Sequence, residues 1–202
     1  MKTIVFDLGG VLIDWNPRNM YRKYLNDQQM DYLLTEVCTM KWNALMDAGL
    51  SFEEGAKQLI EKFPEHAAMI KKYGEEWPEM IGGAKAETVS ILEELYKQNY
   101  PLYALTNWSM ETFPPVLKRF DFFRYFNGIV VSAEEKVVKP EEKLYQILLE
   151  RYSLDPHECI FIDDNYDNIV AAEQLGMLAL HFKDAGQLRE DLQSVLPDFK
   201  AT

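Results

Sequence analysis

A carboxylate directly follows the first apolar run of the chain, and two glycines come soon after it. The run Thr3–Phe6 leads into Asp7, and Gly9 and Gly10 open a second apolar run. Apolar β-branched and aromatic residues without a helical period predict a short buried strand. Ligands of α/β sheets bind beyond the carboxyl ends of the strands. Asp7 is therefore a candidate for chemistry, although Asp and Gly are also common turn residues.

Polar side chains follow two further predicted strands, and a lysine-proline pair precedes a predicted helix. Because parallel strands share one carboxyl edge, we expect these side chains to converge on one crevice. Proline is common in the first turn of a helix, so we expect Pro140 to begin the helix that follows Lys139. Taken alone, each of these residues could be a helix cap or a solvated charge. The set comprises Thr106 and Asn107, Lys139 before Pro140, and the pair Asp163 and Asp164.

Together these residue types suit metal-assisted phosphoryl transfer. A carboxylate can attack phosphorus and form an acyl phosphate, which divides a difficult displacement into two steps. Clustered carboxylates repel one another unless a cation bridges them, and a ligand set made only of oxygens suits Mg²⁺. A hydroxyl group and an ammonium group can then hold the phosphoryl oxygens and stabilise the charge of the transition state.

The elements that must position these residues form an alternating pattern. Predicted strands over 3–6, 100–106, 128–132, 158–163 and 177–182 alternate with predicted helices over 87–98, 110–120, 141–152, 165–175 and 185–196. This alternation predicts an α/β fold, a Rossmann-like parallel five-stranded sheet with helices on both faces. Helical periodicity without strands dominates from about residue 16 onward. We therefore predict an α/β core over 1–15 and 83–202, and an inserted all-helical domain of four or five short helices over 16–82.

The composition of the chain limits the classes of partner that the protein is expected to bind. The 202 residues include 21 Lys and Arg against 33 Asp and Glu, a net charge of −12 that disfavours nucleic acid and anionic membranes. The apolar runs are too short to span a bilayer, and Asp7 interrupts the first one, so we expect no signal peptide. Cys38 and Cys159 lack metal-ligand spacing, which is typical of a cytoplasmic protein. An anionic substrate would need a local cation, and a metal ion and Lys139 would supply it.

The four motifs together resemble the haloacid dehalogenase (HAD) superfamily, whose members are mostly Mg²⁺-dependent phosphatases. Asp7 stands in FDLGGVL, Thr106 in ALTN, Lys139 before proline, and the acidic pair in FIDDNYDN. The helical stretch over 16–82 looks like the cap that this family inserts between its first two motifs. The resemblance therefore covers the whole chain.

The resemblance implies a role for each motif residue. Asp7 would be the nucleophile and would bind Mg²⁺ together with the Gly9 backbone carbonyl, Asp164 and Asp163. Thr106, Asn107 and Lys139 would bind the phosphate. The partner would be a small-molecule phosphate ester, bound by a monomer or a dimer. Because caps close over the cleft, we expect residues near the hinges and helix tips to select the substrate. The candidates for this selection are Trp15, Asn16, Asp47 and Trp108.

One position departs from the family pattern. Most phosphatases of the family carry a general acid two residues after the nucleophile, where this chain has Gly9. Some bacterial sugar-phosphate phosphatases with a DLGN or DLGG turn share this feature, which favours sugar 1-phosphates and similar esters with good leaving groups. A 2-haloacid dehalogenase that uses Asp7 against carbon is an alternative, although such enzymes typically have Ser-Ser-Asn in place of Asp163-Asp164-Asn165. A catalytically weak relative that acts as a binding protein is another.

Overall fold

The computed structural model of the chain describes residues 2–200. The strands are β1 Thr3–Phe6, β2 Ile13–Trp15, β3 Ile81–Ala84, β4 Leu102–Thr106, β5 Gly128–Val131, β6 Cys159–Asp163 and β7 Leu178–His181. The helices are α1 Pro17–Tyr21, α2 Asp27–Tyr32, α3 Met40–Asp47, α4 Phe52–Lys62, α5 Ala67–Glu75, α6 Ala86–Lys97, α7 Phe113–Arg119, α8 Ser132–Glu135, α9 Glu142–Tyr152, α10 Tyr166–Gln174 and α11 Ala185–Val195. None of the helices in this part of the chain is long and apolar enough to cross a membrane.

Five parallel strands form the main sheet, in the order β5-β4-β1-β6-β7. The central strand is β1, in which Ile4 lies between Leu102 of β4 and Ile160 of β6. Every residue of β1 is buried, as expected for a parallel strand that is covered on both faces. The predicted five-stranded parallel sheet is confirmed, and its topology places Asp7 at the middle of the carboxyl edge.

Helices cover both faces of this sheet because successive side chains of β1 point in opposite directions. Ile4 and Phe6 belong to a cluster that includes apolar residues of α6 and α11. Val5 belongs to a second cluster with apolar residues of α9 and α10. The predicted arrangement of helices on both faces is therefore confirmed.

The chain between β2 and β3 is helical and contributes side chains to the larger cluster. Two helix ends in this segment are capped by local residues. Ser51 Oγ accepts from Glu54 N at the start of α4, and Gly49 has a φ of +99° just after α3. Trp42 is buried and its Nε1 donates to the Gly55 carbonyl at 3.1 Å, so its role is packing. The division of this segment from the sheet as a separate domain stays a prediction.

An antiparallel pair, β2 with β3, brackets the helical segment, and the sequence analysis missed it. Gly82 of β3 packs against the partner strand. A Cβ at Gly82 would lie 2.0 Å from Asp14 Oδ2. The sequence of such a short strand gives little indication of its structure, because its pairing depends on residues far away along the chain.

The segment between β5 and α9 also differs from the prediction. A short helix, α8, follows β5, and α9 begins only at Glu142 after an extended Glu141. Pro140 thus lies before the helix rather than in its first turn, so that prediction is wrong. The intervening loop is what carries Lys139 toward the sheet edge.

Candidate active site

The carboxyl edge of the sheet brings together side chains from three strands and one loop. Asp7 directly follows β1, Thr106 ends β4 and Asp163 ends β6, while Lys139 enters from the loop before α9. All four residues are buried. The convergence expected from the shared edge is therefore present in the structure.

Lys139 forms ion pairs with two of these carboxylates. Its Nζ lies 2.9 Å from Asp7 Oδ1 and 2.6 Å from Asp163 Oδ2. Burial alone would lower the pKa of Lys139, but the carboxylates of Asp163 and Asp7 raise it overall. The side chain is thus an ammonium ion held inside the protein.

Asp163 is fully buried, and its acceptor capacity is largely used. Besides Lys139, its oxygens accept from Asn165 N at 2.8 Å and from Asn168 Nδ2 at 3.0 and 3.1 Å. A carboxylate has about four acceptor sites. Asp163 therefore holds the ammonium group and the start of α10 in place, and it has little capacity left for another ligand.

The surroundings of Asp7 hold more negative charge than the ammonium group of Lys139 can balance. Burial raises the pKa of Asp7 to about 7; Lys139 opposes this shift, while Asp163 and Asp164 add to it. Burial and Asp163 likewise raise the pKa of Asp164. The three carboxylates outnumber the ammonium groups of Lys139 and Lys85 that act on them, and the excess of negative charge is one that a divalent cation would neutralise.

Two of these carboxylates, Asp7 and Asp164, could hold that cation, with Asp163 beside them. One oxygen from each of Asp7, Asp163 and Asp164 lies within 4.8 Å of the others, and oxygen ligands suit Mg²⁺. Gly10 makes the arrangement possible: its φ is +77°, and a Cβ there would lie 2.2 Å from Asp164 Oδ2. A side chain at this position would displace the acidic group. Gly9 lines the same cleft, and the role of its carbonyl as a ligand stays a prediction.

Thr106 and Asn107 have different surroundings. The hydroxyl oxygen of Thr106 is buried without a hydrogen-bond partner among residues 2–200, which leaves it available for a phosphate oxygen. The Asn107 side chain instead bonds to the backbone of Lys139: its Nδ2 donates to the carbonyl at 3.0 Å, and Lys139 N donates to its Oδ1 at 2.8 Å. That side chain positions the lysine. Its amide has a second N–H that neither bond uses, and Asn107 lines the cleft, so its role in phosphate binding stays a prediction.

A cleft of about 430 Å³ opens onto Asp7, Asn107, Lys139 and Asp164. Three of the four residues expected to select the substrate line it, namely Trp15, Asp47 and Trp108. The fourth, Asn16, is not part of the lining, because its Oδ1 caps α1 and accepts from Arg18 N at 2.9 Å.

Comparison with known proteins identifies the family. The sequence profile of the haloacid dehalogenase-like hydrolases matches residues 1–176. The chain belongs to this family. The predicted family and the predicted hydrolase class are thereby confirmed.

Known proteins are similar to this hydrolase in sequence or in fold. It is 29% identical to the sesquiterpene phosphatase astK of Aspergillus oryzae, over 91% of each chain. The HAD family enzyme bt-2542 of Bacteroides thetaiotaomicron, in complex with magnesium and inorganic phosphate, has a TM-score of 0.69 at 21% identity, covering 91% of this chain and 94% of that one. The L-2-haloacid dehalogenase of Xanthobacter autotrophicus has a TM-score of 0.68 at 16% identity, covering 100% of this chain and 85% of that one. The two structures share the fold.

Several residues of the hydrolase site were missed from the sequence. Asn43 and Trp77 line the cleft, and Asn168 supports Asp163. Ser132 Oγ accepts from Trp108 N at 3.0 Å and donates to the Asp47 carbonyl at 2.6 Å, which joins the helical segment to the sheet edge. Asn168 could have been found in the FIDDNYDN motif. The others carry no local signal, because only the folded chain brings them to the site.

Proposed function

We propose that this hydrolase is a Mg²⁺-dependent phosphatase that acts on a small phosphorylated metabolite, with Asp7 as the nucleophile. The observation that carries the proposal is the buried contact between Lys139 Nζ and Asp7 Oδ1, beside the carboxylates of Asp163 and Asp164. A phosphoryl group needs cations around it, and a divalent cation needs clustered oxygens. The similarity to a phosphatase supports the same chemistry.

In the proposed reaction, an Asp7 oxygen attacks phosphorus and displaces the leaving oxygen, and water then hydrolyses the aspartyl phosphate. The ammonium group of Lys139 and the hydroxyl group of Thr106 donate to the phosphoryl oxygens. Asn107 keeps Lys139 in place through its two backbone contacts. Mg²⁺, held by Asp7, Asp164 and the Gly9 carbonyl, would neutralise the charge of the phosphoryl group and the acids.

The acidic pair favours phosphoryl transfer over displacement of halide. A dehalogenase would place the same nucleophile against carbon without a metal, and it would gain nothing from an excess of clustered carboxylates. Asp163 and Asp164 add negative charge around Asp7, and this charge is useful only when a cation compensates for it.

The helical segment over 16–82 would be the cap of a core formed by 1–15 and 83–202. Two hydrogen bonds support this arrangement: Phe52 N donates to Glu111 Oε1 at 2.8 Å, and Ser132 Oγ donates to the Asp47 carbonyl. The cap would enclose a small ester and would exclude a large phosphorylated macromolecule. The enzyme would act in the cytoplasm as a monomer or a dimer.

Sugar phosphates are the substrates that we propose in particular. The cleft combines indole rings, such as those of Trp15, Trp77 and Trp108, with the polar side chains of Asn43 and Asp47. Aromatic faces next to hydrogen-bonding groups suit a polyhydroxylated ring. An anomeric hydroxyl needs less help from an acid than a primary alcohol does, so esters of the anomeric position should turn over faster at a site with no acid at position 9.

A screen of phosphorylated metabolites tests the proposal. Release of inorganic phosphate would be measured with Mg²⁺ and with EDTA, for the wild type and for Asp7→Asn, with glucose 1-phosphate and glucose 6-phosphate in the panel. We expect Mg²⁺-dependent turnover that favours the 1-phosphate and falls by on the order of 10³-fold or more in the variant.

Three outcomes would contradict parts of this proposal. Turnover that persists in a folded Asp7→Asn protein would remove Asp7 as the nucleophile. Equal turnover of the two glucose phosphates would remove the preference for anomeric esters. Release of chloride from 2-chloropropionate in EDTA, without phosphatase activity, would replace the phosphatase by a dehalogenase.

A further inference from the structure

The cleft contains a carboxyl group that the proposed phosphatase reaction does not use. Within residues 2–200, the ionisable side chains that line it are Asp7, Asp47, Lys139 and Asp164. The nucleophile, the phosphate-binding group and the metal ligands account for three of them. Asp47, the last residue of α3, is left over, and it comes from the helical segment rather than from the sheet edge.

Hydrogen bonds fix this carboxyl group in place. Asn43 Nδ2 donates to Asp47 Oδ2 at 2.8 Å, and Tyr73 OH donates to Asn43 Oδ1 at 3.0 Å. The tyrosine thereby sets the orientation of the amide, so that the amide presents its NH₂ group to the carboxyl. The Asp47 carbonyl is held by Ser132 Oγ. Oδ1 has no hydrogen-bond partner in the described part of the chain, which leaves one oxygen for a ligand in the cleft.

The surroundings of Asp47 favour its acid form near neutral pH. Burial raises the pKa of Asp47 to about 7, and the charge of Asp7 adds to this effect while Lys139 opposes it. Tyr73, the ionisable group that faces Asp47 from α5, has its own pKa raised well above 10.0 by burial and stays neutral. A general acid and base works best when its pKa is close to the working pH.

We propose that Asp47 is the general acid and base of this enzyme, in place of the side chain that Gly9 lacks. The inference rests on the proposed phosphatase function. As Asp7 attacks phosphorus and the bond to the leaving oxygen breaks, the Asp47 carboxyl gives its proton to that oxygen and an alcohol departs. Asp47 then takes a proton from the water that attacks the aspartyl phosphate. Inorganic phosphate leaves, and both carboxyl groups return to their starting states.

The test compares leaving groups that differ in their need for a proton. kcat/KM would be measured with Mg²⁺ for p-nitrophenyl phosphate, whose leaving group departs unprotonated, and for glucose 6-phosphate, whose alkoxide needs a proton. We expect Asp47→Asn to lower kcat/KM by about 10²–10⁴-fold for the sugar ester. For the aryl ester we expect a loss below about tenfold, since only binding and attack contribute to it.

A second readout isolates the base step. If Asp47 activates water, the aspartyl phosphate accumulates in Asp47→Asn, and p-nitrophenol appears in a burst before slow steady turnover. Asp27→Asn is the matched control, because Asp27 lies on the same helical segment with a side chain that is 94% exposed; it should behave as the wild type. Asp47→Glu keeps a carboxyl group and should recover part of the loss for the sugar ester.

The outcomes separate this inference from the function on which it rests. Equal losses of kcat/KM for both esters, or no loss for either, would overturn the role of Asp47 and leave the phosphatase intact. A wild type without Mg²⁺-dependent activity, or activity that survives Asp7→Asn, would overturn the proposed function itself. Loss confined to the ester that needs a proton, together with a burst, would support Asp47 as the acid and base.

Discussion

Replacing Lys139 by methionine should destabilise the fold as well as abolish catalysis. The lysine side chain is 1% exposed and lies between the Asp7 and Asp163 side chains, which are 11% and 0% exposed. Methionine keeps most of the apolar stem, so the main loss is the charge. Removing one partner of a buried ion pair costs about 3–5 kcal/mol, because the remaining charge is left uncompensated. For a chain of this length, that corresponds to a melting temperature lower by roughly 6–20 °C.

The loss of stability in Lys139→Met should depend on pH, and the titration of Asp7 sets the direction of that dependence. The folded-state pKa of Asp7 is about 7, above its ordinary value of 3.8, even with the ammonium present. An acid with a raised folded-state pKa stabilises the fold at low pH, and this stability is lost as the pH rises through that value. Lys139 lowers the pKa of Asp7, so that pKa should rise further in the variant. The stability of the variant should therefore be closest to that of the wild type at about pH 5, and the difference should be largest at about pH 8.

Thermal unfolding in EDTA at these two pH values measures the effect. The wild-type contribution of Lys139 should be constant over this range, because its raised pKa means that stability is lost only above the ordinary value of 10.5. The double variant Lys139→Met with Asp163→Asn removes the stranded charge and should regain part of the stability, yet it should stay inactive. A single variant that melts at the wild-type temperature at about pH 8, or a second substitution that restores no stability, would refute the uncompensated charge as the cause.

Three further outcomes are expected. Gly10→Ala places a Cβ 2.2 Å from Asp164 Oδ2 at a φ of +77°; we expect the Mg²⁺ concentration for half-maximal activity to rise by roughly 10–100-fold, and an unchanged titration would contradict this. Cys38 and Cys159 are buried, with pKa values raised by burial to about 12 and about 11; neither thiol should react with a disulfide reagent until guanidinium unfolds the protein, and rapid labelling of the native state would refute it. Ser132→Ala leaves Trp108 N and the Asp47 carbonyl without their partner; urea unfolding should show a loss of about 1–3 kcal/mol, and an unchanged midpoint would show that these bonds contribute little.

The sheet was predictable because its strands carry their signal within their own residues. β1 spans Thr3–Phe6 as predicted, since a central parallel strand is buried on both faces and is apolar throughout. The β2–β3 pair was not predictable, because its two short strands are matched only when the helical segment brings them together. The same holds for Pro140, whose position depends on the short helix α8 that precedes its loop.

The site was predictable in its residue types and less so in its contacts. Asp7, Thr106 and Lys139 follow from strand ends and motif spacing. The partner of each polar atom does not: only the fold shows that the Asn107 amide holds the backbone of Lys139, or that Asn16 caps a helix. Which side chains face one another across a cleft depends on tertiary packing that no local pattern encodes.

Placing the acid on the helical segment would make chemistry depend on closure. An acid at position 9 would accompany the nucleophile in every conformation, whereas Asp47 is near Asp7 only while the segment contacts the sheet edge. The bonds from Ser132 to the Asp47 carbonyl and from Phe52 N to Glu111 would hold that closed state together. Opening would admit water to the aspartyl phosphate but would withdraw the base that activates it. Both steps would therefore run in the closed state, and an ester too bulky to permit closure would bind through its phosphate and yet turn over slowly.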